Sequence, residues 1–274
     1  MCGHCGCGED AKTTVLDLQT GQEIPMDHDH DHHEHVHADG TRHSHHHPAR
    51  GGEVVALEAR LLAKNEALAA QNRAWFKGRE ILALNLVSSP GAGKTTLLER
   101  TIRDLKDELK LRVIEGDQAT SNDGERIRAA GAPAVQVNTG TGCHLDADMV
   151  ARGLRVLKPE AGSVVMIENV GNLVCPALFD LGERAKVVIL SVTEGEDKPL
   201  KYPHMFRAAQ VMILNKTDLL PHVAFDVAQV VSNAMQVNPG LVVLRLSAVS
   251  GEGLEGWYDW LRMEAANVRA DAFA

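Results

Sequence analysis

The fold of this chain is decided by the stretch Ser88-Ser89-Pro90-Gly91-Ala92-Gly93-Lys94-Thr95-Thr96. It stands between an apolar run, residues 81–87, and a helix-like segment from about Thr95 to Glu108. A strand, a glycine-rich turn and a helix in this order are typical of a phosphate-binding loop, whose N–H groups point at phosphate oxygens. Ser88 replaces the first glycine of the usual G-x-x-x-x-G-K-[ST] pattern, and serine is small enough to fit there. The alternative is an ordinary strand–helix turn that contains Gly-Lys-Thr by chance.

Each residue of this loop has an expected role. Lys94 would reach the β- and γ-phosphates of a nucleotide, and the Thr95 hydroxyl would bind Mg²⁺. The residues expected to contact the nucleotide here are Gly91, Ala92, Gly93, Lys94, Thr95 and Thr96.

Acidic residues end two further predicted strands, Asp117 after the strand from Leu111 and Glu168 after the strand from Ser163. Carboxylates at the carboxyl ends of strands in an open α/β sheet face the ligand crevice. Both are therefore candidates to hold Mg²⁺ or its water and to place the attacking water, and Asp123 is a further candidate. We expect the N–H of Gly171, three residues after Glu168, to contact the γ-phosphate.

The base is expected to be guanine, because Asn215-Lys216-Thr217-Asp218 follows another predicted strand. The Asp218 carboxylate can accept from N1–H and the 2-amino group of guanine, an arrangement that adenine does not offer. Lys216 would lie along the base plane. Farther on, a backbone N–H at Ser247-Ala248 can donate to guanine O6. Together these motifs predict a domain that binds GTP and GDP.

Predicted strands alternate with predicted helices, which favours an α/β fold of the P-loop NTPase type, with a mostly parallel sheet flanked by helices. Apolar residues make up 44% and aromatic residues 4% of the 274, so the core must be aliphatic, as in covered parallel sheets. The expected strands are 81–87, 111–117, 134–138, 163–168, 186–192, 210–214 and 242–246. Helices are expected at 53–77 and 95–108, and a third would open with residues 139–146 and run to about 157.

Three of the five cysteines, Cys2, Cys5 and Cys7, crowd the N-terminus. Their spacing favours metal ligation over structural disulfides. Thiolates with nitrogen donors suit square-planar Ni(II), and Zn(II) would also bind. If Met1 is removed, the amine of Cys2 becomes a fourth donor. The alternatives are a reactive tail or a redox pair of Cys2 and Cys5.

Residues 26–47 hold ten of the fourteen histidines in a low-complexity tract with interspersed acids. Such a tract cannot bury a core and is expected to be disordered. Flexible imidazoles bind Ni, Zn, Cu or Co weakly, so we interpret the tract as metal storage, the alternative being a solvated linker. The candidate ligands are His28, His30, His32, His33, His35, His37, His43, His45, His46 and His47.

These features divide the chain into a Cys/His-rich, largely disordered metal-binding region, 1–52, and a GTPase domain, 53–274. The net charge is −9, and the sequence of the globular part shows no basic patch. The lack of such a patch argues against nucleic acid as a partner. No apolar run approaches the ~18 residues of a membrane span, and no signal peptide is visible. We therefore expect a cytoplasmic protein with no membrane association.

The remaining cysteines suggest a second metal site. Cys143 and His144 are adjacent at the expected start of a helix, and Cys175 lies just beyond the expected γ-phosphate sensor. Two thiolates and an imidazole suit Zn or Ni, with water or a second protomer as the fourth ligand. A loop that rearranges between GTP and GDP would couple metal geometry to nucleotide state. The alternative is two small buried side chains and a capping histidine.

The chain resembles the HypB family of hydrogenase nickel-incorporation GTPases, of the SIMIBI branch of P-loop proteins. The resemblance rests on Cys2-x-x-Cys5-Gly6-Cys7, on the GTPase motifs over about 80–260, and most specifically on residues 141–147 and 168–176. It implies a slow GTPase that forms a homodimer with GTP and Mg²⁺ and helps deliver nickel to the precursor of the [NiFe]-hydrogenase large subunit. It also implies a tight N-terminal nickel site, a second site near the dimer interface, and HypA, a small zinc protein, as partner.

Three rival functions stay open. A urease-type nickel-delivery GTPase is expected to carry Cys-Pro-His, whereas Cys143 here meets His144 directly. A metal store whose nucleotide only sets its oligomeric state would not hydrolyse GTP. A zinc-handling chaperone would use the same ligands.

Overall fold

The computed structural model describes residues 14–25, 51–117, 122–140 and 142–272, without the side chains of residues 51–58, 117, 122 and 123. In these ranges the strands are β1 (Thr14–Asp17), β2 (Glu23–Pro25), β3 (Leu82–Ser88), β4 (Leu111–Asp117), β5 (Ala134–Asn138), β6 (Val164–Glu168), β7 (Ala185–Ser191), β8 (Val211–Asn215) and β9 (Val242–Arg245). The helices are α1 (Gly51–Lys77), α2 (Lys94–Leu105), α3 (Asn122–Ala130), α4 (Ala147–Leu157), α5 (Lys198–Lys201), α6 (Pro203–Ala208), α7 (Val227–Val237) and α8 (Leu254–Asp271), with 3₁₀ turns at Cys175–Ala177 and Thr217–His222.

The described strands form one sheet in the order β2-β1-β5-β4-β6-β3-β7-β8-β9. All pairs from β5 to β9 are parallel, so their carboxyl ends meet at one edge. The prediction of a mostly parallel α/β sheet is confirmed. The seven predicted strands are present, with ends shifted by one residue at most.

Strand β3 explains why the sheet is covered on both sides. All seven of its residues are buried, and successive side chains point to opposite faces. Leu84 and Leu86 pack in a cluster with residues of α2, α3 and α8. Ala83 lies in a second cluster with residues of α1 and α4. The run before the phosphate loop, apolar except for Asn85, is thus the central parallel strand of a three-layer sandwich.

Strands β1 and β2 were not expected. They form an antiparallel pair, and β1 also pairs antiparallel with β5, with Thr14 opposite Asn138. The expectation of disorder therefore does not hold for residues 14–25, and the sheet extends beyond a domain boundary at residue 52. Only Val15 of β1 is buried, so four residues give little local signal, and their strand conformation depends on a distant partner.

Two helix ends differ from the expectation. Helix α2 ends at Leu105 rather than near Glu108, and α4 begins at Ala147 instead of opening within residues 139–146. The Asp146 carboxylate accepts from the N–H of Met149 and caps α4. Cys143 and His144 consequently lie in the loop before the helix. Among the described residues, none of the helices has the length and apolar character needed to cross a membrane.

Two buried asparagines of helix α1 hydrogen-bond to the start of α4 and to residues 180–181. Asn65 donates to the carbonyl of Asp180 (2.8 Å) and accepts from the N–H of Ala147 (2.9 Å). Asn72 donates to the carbonyls of Ala147 (2.8 Å) and Leu181 (3.0 Å). The helix thus ties the start of α4 to the segment after the 175–177 turn.

Candidate functional site

The phosphate loop connects β3 to α2 with the geometry that its sequence predicts. Gly91 and Gly93 have φ of 75° and 92°, a left-handed region that favours glycine. A Cβ on Gly93 would lie 2.6 Å from the Asn215 side-chain nitrogen, so this position also requires close approach. Ser88 has no such φ, and its hydroxyl donates to the Ser89 carbonyl (2.8 Å). The substitution of serine for the first glycine is therefore accommodated.

Three predicted phosphate and Mg²⁺ ligands meet at one carboxylate oxygen. Glu168 Oε1 lies 2.7 Å from Lys94 Nζ and accepts from the Thr95 hydroxyl (2.6 Å). Glu168 is 2% exposed, and its Oε2 is buried without a hydrogen-bond partner. A buried carboxylate oxygen without a partner costs free energy, and a hydrated cation would satisfy it. These residues therefore fit Mg²⁺, held by the Thr95 hydroxyl and Glu168.

The predicted base-recognition residues lie against the phosphate loop. Asn215 donates to the Ala92 carbonyl (2.9 Å), and Lys216 Nζ donates to the Gly91 carbonyl (2.6 Å). Asp218 Oδ1 is buried without a hydrogen-bond partner, as expected of an acceptor kept for a ligand. Asn215 thus joins the base and phosphate segments, a role that the motif alone did not indicate.

The N–H groups predicted to contact guanine O6 already have acceptors. The Ala248 N–H donates to Asn215 Oδ1 (3.2 Å), and the Ser247 N–H donates to the Glu252 carbonyl (2.8 Å). A contact from either group to O6 stays a prediction.

These segments surround a cavity of about 570 Å³. It is lined by the phosphate loop, by Glu168 and Gly171 at the end of β6, by Lys216, and by Arg126 on α3. Arg126 hydrogen-bonds to Glu99 (2.8 Å). Neither Arg126 nor Lys198, which donates to the Ser89 hydroxyl (3.1 Å), was predicted. Both stand outside the sequence motifs, so only the fold brings them to the loop.

Cys143, His144 and Cys175 lie together and form a candidate second metal centre. Their ligand atoms all lie within 4.8 Å of one another. The two sulfur atoms are 2.9 Å apart, and Cys143 Sγ lies 3.6 Å from His144 Nδ1. Among the described residues no further His, Cys, Asp or Glu joins this cluster. If these residues were only small buried side chains and a capping histidine, their three donor atoms would not need to converge. The set of three soft or borderline donors fits Ni or Zn.

The surroundings of His144 favour its ligand form. Burial lowers the pKa of this imidazole, an effect that the nearby Asp146 charge only partly opposes, and the neutral ring is the form that binds metals. The ring lies against Phe179, with 3.9 Å between ring centroids. Phe179 follows the turn that begins at Cys175 and so packs the two halves of the centre together.

The nucleotide cavity and the metal cluster are adjacent along the chain and in space. Asn169 follows Glu168, and its Oδ1 accepts from the N–H of Leu145 (3.1 Å), the residue after His144. Asn172 donates to the Cys143 carbonyl (3.4 Å). A Cβ on Gly171 would lie 3.2 Å from the Pro90 ring, so the predicted γ-phosphate sensor touches the phosphate loop.

Some predicted ligands lie outside the described residues. These are Cys2, Cys5 and Cys7 and the ten histidines between residues 28 and 47. The backbone of Asp117 ends β4, and the preceding Gly116 lines the cavity, but the side chains of Asp117 and Asp123 are not described. The predicted roles of these residues stay predictions.

The loop, its strand–helix setting and the acid at the end of β6 define a P-loop nucleotide-binding protein. A family model described as "CobW/HypB/UreG, nucleotide-binding domain" matches residues 82–245. The chain is 61% identical over 213 residues to "Hydrogenase maturation factor HypB" of Rhizobium leguminosarum bv. viciae, covering 78% of this chain and 71% of the relative. It is 57% identical over 211 residues to the protein of that name in Escherichia coli K12 (77% and 73%). The chain belongs to the HypB family of P-loop GTPases.

Solved structures agree with this family. "Hydrogenase Maturation Factor HypB" from Archaeoglobus fulgidus superposes with a TM-score of 0.70 at 39% identity, over 74% of this chain and 99% of that one. "HypB from Helicobacter pylori in complex with nickel" gives a TM-score of 0.69 at 38% identity, over 74% and 96%. The described domain has the HypB fold, and the second of these relatives was crystallised with nickel.

Proposed function

We propose that this chain is a slow GTP hydrolase that assists the GTP-dependent insertion of nickel into [NiFe]-hydrogenase during maturation. One observation carries the proposal. The segment that starts at Glu168 in the nucleotide cavity reaches Cys175 in the metal cluster within seven residues, and Asn169 and Asn172 bind the loop of the other two ligands. A change at the γ-phosphate therefore has a short covalent and hydrogen-bonded route to the metal.

Hydrolysis would begin with an exchange of partners. Lys94 Nζ lies 2.7 Å from Glu168 Oε1 and forms an ion pair with it. With GTP bound, Lys94 would turn to the β- and γ-phosphates, and Glu168 would accept from the water shell of the cation. Thr95 and Glu168 would hold Mg²⁺, which would supply neutralisation of the charge that develops on the phosphates. Glu168 or Asp117 would place the attacking water, and the Gly171 N–H would contact the γ-phosphate.

Nickel would be the cargo of the cluster of Cys143, His144 and Cys175, and the same ligands can take zinc. A tighter nickel site at Cys2, Cys5 and Cys7 and a storage role for the histidine tract complete the proposal for residues 1–52. The support for these two parts is composition and family resemblance.

The proposed partners follow from the relatives. The names of these relatives place them in hydrogenase maturation, which supports a hydrogenase large-subunit precursor as the recipient. We further propose a homodimer formed with GTP or metal, in which a second protomer or water completes the four-coordinate centre, and a HypA-type chaperone as partner. We also propose that the protein acts in the cytoplasm.

The test is GTP hydrolysis by the purified full-length chain with Mg²⁺, measured as phosphate release with and without nickel. Full length matters because β1, within residues 14–25, is part of the sheet. We expect slow turnover of GTP and none of ATP. Mass measurement in the presence of GDP, a non-hydrolysable GTP analogue and nickel would report the dimer. No turnover under any of these conditions would contradict the proposal and favour a nucleotide-controlled metal store.

A second recipient has specific support. A related protein from Helicobacter pylori, 39% identical to this chain over 211 residues, bears the name "Hydrogenase/urease maturation factor HypB". Delivery to a urease precursor is therefore the alternative within the nickel class. Deletion of the gene, followed by hydrogenase and urease assays with and without added nickel, separates the two recipients.

A further inference from the structure

A row of polar side chains crosses the core beneath the two sites. Asn169 donates from Nδ2 to Asn85 Oδ1 (3.2 Å), and Asn85 donates from Nδ2 to Glu183 Oε1 (3.0 Å). That carboxylate oxygen lies 3.7 Å from Lys186 Nζ. We refer to Asn169, Asn85, Glu183 and Lys186 as the buried relay.

Both ends of the buried relay terminate on the backbone beside a metal ligand. At one end, Asn169 Oδ1 accepts from the N–H of Leu145, which follows His144. At the other end, Lys186 Nζ donates to the carbonyls of Pro176 (2.8 Å) and Phe179 (3.3 Å). Pro176 follows Cys175, and the Phe179 ring packs on His144.

Burial makes these bonds costly to break one at a time. Asn85, Asn169 and Lys186 are 0%, 1% and 5% exposed, and the Glu183 side chain is 6% exposed. In such surroundings an unpaired amide or ammonium group is strongly disfavoured relative to water, so a shift of one member favours a shift of its neighbours. A row of this kind has few alternative hydrogen-bonded arrangements. A switch element requires a small number of discrete arrangements of this kind.

We propose that the buried relay transmits nucleotide state to the nickel centre, with its four side chains as positioning residues rather than ligands. Asn169 is bonded covalently to Glu168, the acid that would change partner when GTP and Mg²⁺ bind. Asn85 lies on β3, three residues before the phosphate loop begins at Ser88. A shift of either residue alters the hydrogen bonds that hold the segments of His144 and Cys175. The inference rests on the proposed function, since it presupposes that nickel affinity depends on nucleotide.

The experiment compares nickel affinity in two nucleotide states. Nickel is titrated into the full-length chain with Cys2, Cys5 and Cys7 changed to serine, so that thiolate-to-nickel absorption reports on Cys143 and Cys175 alone. The coupling is the ratio of nickel dissociation constants with GDP and with a non-hydrolysable GTP analogue. Without further changes we expect a ratio of at least about fivefold, the lower end of common allosteric couplings.

The relay variant is Glu183→Gln with Lys186→Met, which removes both charges of the row together and so leaves no unpaired buried ion. The matched control is Thr101→Val, which removes a buried hydrogen bond to Trp257 Nε1 (3.0 Å) in the opposite layer. We expect the relay variant to bring the ratio to within about twofold of unity, with GDP affinity retained, and the control to keep the full ratio. If the relay variant does not fold, Asn85→Ser is used instead, since it removes the hydrogen bonds of Asn85 to Glu183 and Asn169. The expected ratio is the same.

The outcomes separate the two proposals. A ratio of one without the relay change would contradict nucleotide–metal coupling in the proposed function, and the relay with it. A normal ratio that persists in the folded relay variants would overturn the relay alone. A ratio lost equally in Thr101→Val would assign the effect to general destabilisation, which also overturns it.

Discussion

Lys94 Nζ lies 2.7 Å from Glu168 Oε1, so the predicted phosphate-binding cation and the predicted Mg²⁺-binding acid hold each other. Their side chains are 12% and 3% exposed. Burying either charge without its partner would be strongly destabilising. The pair therefore preforms the site: an incoming triphosphate and its cation replace one favourable interaction by two.

Lys94→Ala is expected to abolish measurable GTP turnover, because it removes the cation that neutralises the γ-phosphate. A loss of roughly 100- to 1,000-fold is typical when one such electrostatic contact is removed. Phosphate release under saturating GTP measures it. The matched control is Lys110→Ala, at an exposed surface pair with Glu160 (2.9 Å), which should leave turnover unchanged. Turnover of Lys94→Ala near the normal rate would show that this lysine does not act on the phosphates.

Asp218→Asn should weaken GDP binding by roughly 100-fold, because a charged acceptor for two guanine donors is lost. Affinity for ADP should be unaffected, so guanine selectivity falls by the same factor. Competition titrations with both nucleotides give the two constants. Asp226→Asn is the control, since Asp226 caps α7 by accepting from the Gln229 N–H (3.0 Å) at the surface. Equal GDP affinity in Asp218→Asn would remove guanine selection from this residue.

Cys175→Ala should weaken nickel binding to the described domain by more than the roughly 10- to 100-fold typical for the loss of an outer-shell partner. The protein should remain folded, with a stability loss of no more than about 2 kcal/mol, because little volume is removed. Nickel titration and thermal unfolding give the two quantities. Val174→Ala, an exposed neighbour, is the control. Undiminished affinity in Cys175→Ala would rule out this thiolate as a ligand.

Asn65→Ala tests whether α1 supports the metal centre from outside. It removes the bonds to Ala147 and Asp180, which flank the two ligand-bearing segments. We expect a stability loss of about 1–3 kcal/mol and a nickel affinity lowered about 10-fold. Gln71→Ala, at an exposed position of the same helix, should change neither quantity. Lower stability with unchanged nickel affinity would limit Asn65 to a packing role.

Acid stability should depend on Asp104, which accepts from Arg100 Nε and the Tyr258 hydroxyl, each at 2.7 Å. Burial raises the pKa of Asp104, but the bonds from Arg100 and Tyr258 outweigh it and hold that pKa below its ordinary value. The resulting stability is present above the ordinary pKa and is lost as the pH falls through the lowered one.

The test is denaturant unfolding at a series of acidic pH values. Asp104→Asn should cost about 1 kcal/mol at neutral pH, and its difference from the unaltered chain should shrink as the pH falls. Asp107→Asn, exposed on the turn after α2, should track the unaltered chain throughout. A difference that stays constant with pH would show that the Asp104 pKa is not lowered by folding.

The site residues that could be predicted from the sequence are those whose positions depend on short, local segments. Gly93, Lys94 and Thr95 owe their placement to a strand–turn–helix unit within about 25 residues, and Glu168 to the strand that it ends. Parallel strands then bring their carboxyl ends to one edge, which is why motifs far apart in the chain could be combined into one site.

What the sequence could not predict depends on pairing at a distance. Strand β1 exists as a strand because β5 offers an edge, and nothing in Thr14–Asp17 indicates that partner. Arg126 and Lys198 reach the phosphate loop from separate elements. The contact of Asn85 with Glu183 joins side chains 98 residues apart. Hydrophobic periodicity and secondary-structure propensity do not predict such contacts, because the contacts form only when the layers pack together.

We propose that GTP turnover changes the nickel centre, and a single-turnover measurement tests this proposal. The full-length chain with Cys2, Cys5 and Cys7 changed to serine is loaded with nickel and GTP. Phosphate release and thiolate-to-nickel absorption are then followed in the same sample after Mg²⁺ is added. We expect an absorption change at the rate of phosphate release, and neither signal in Lys94→Ala. Constant absorption throughout complete phosphate release would contradict it.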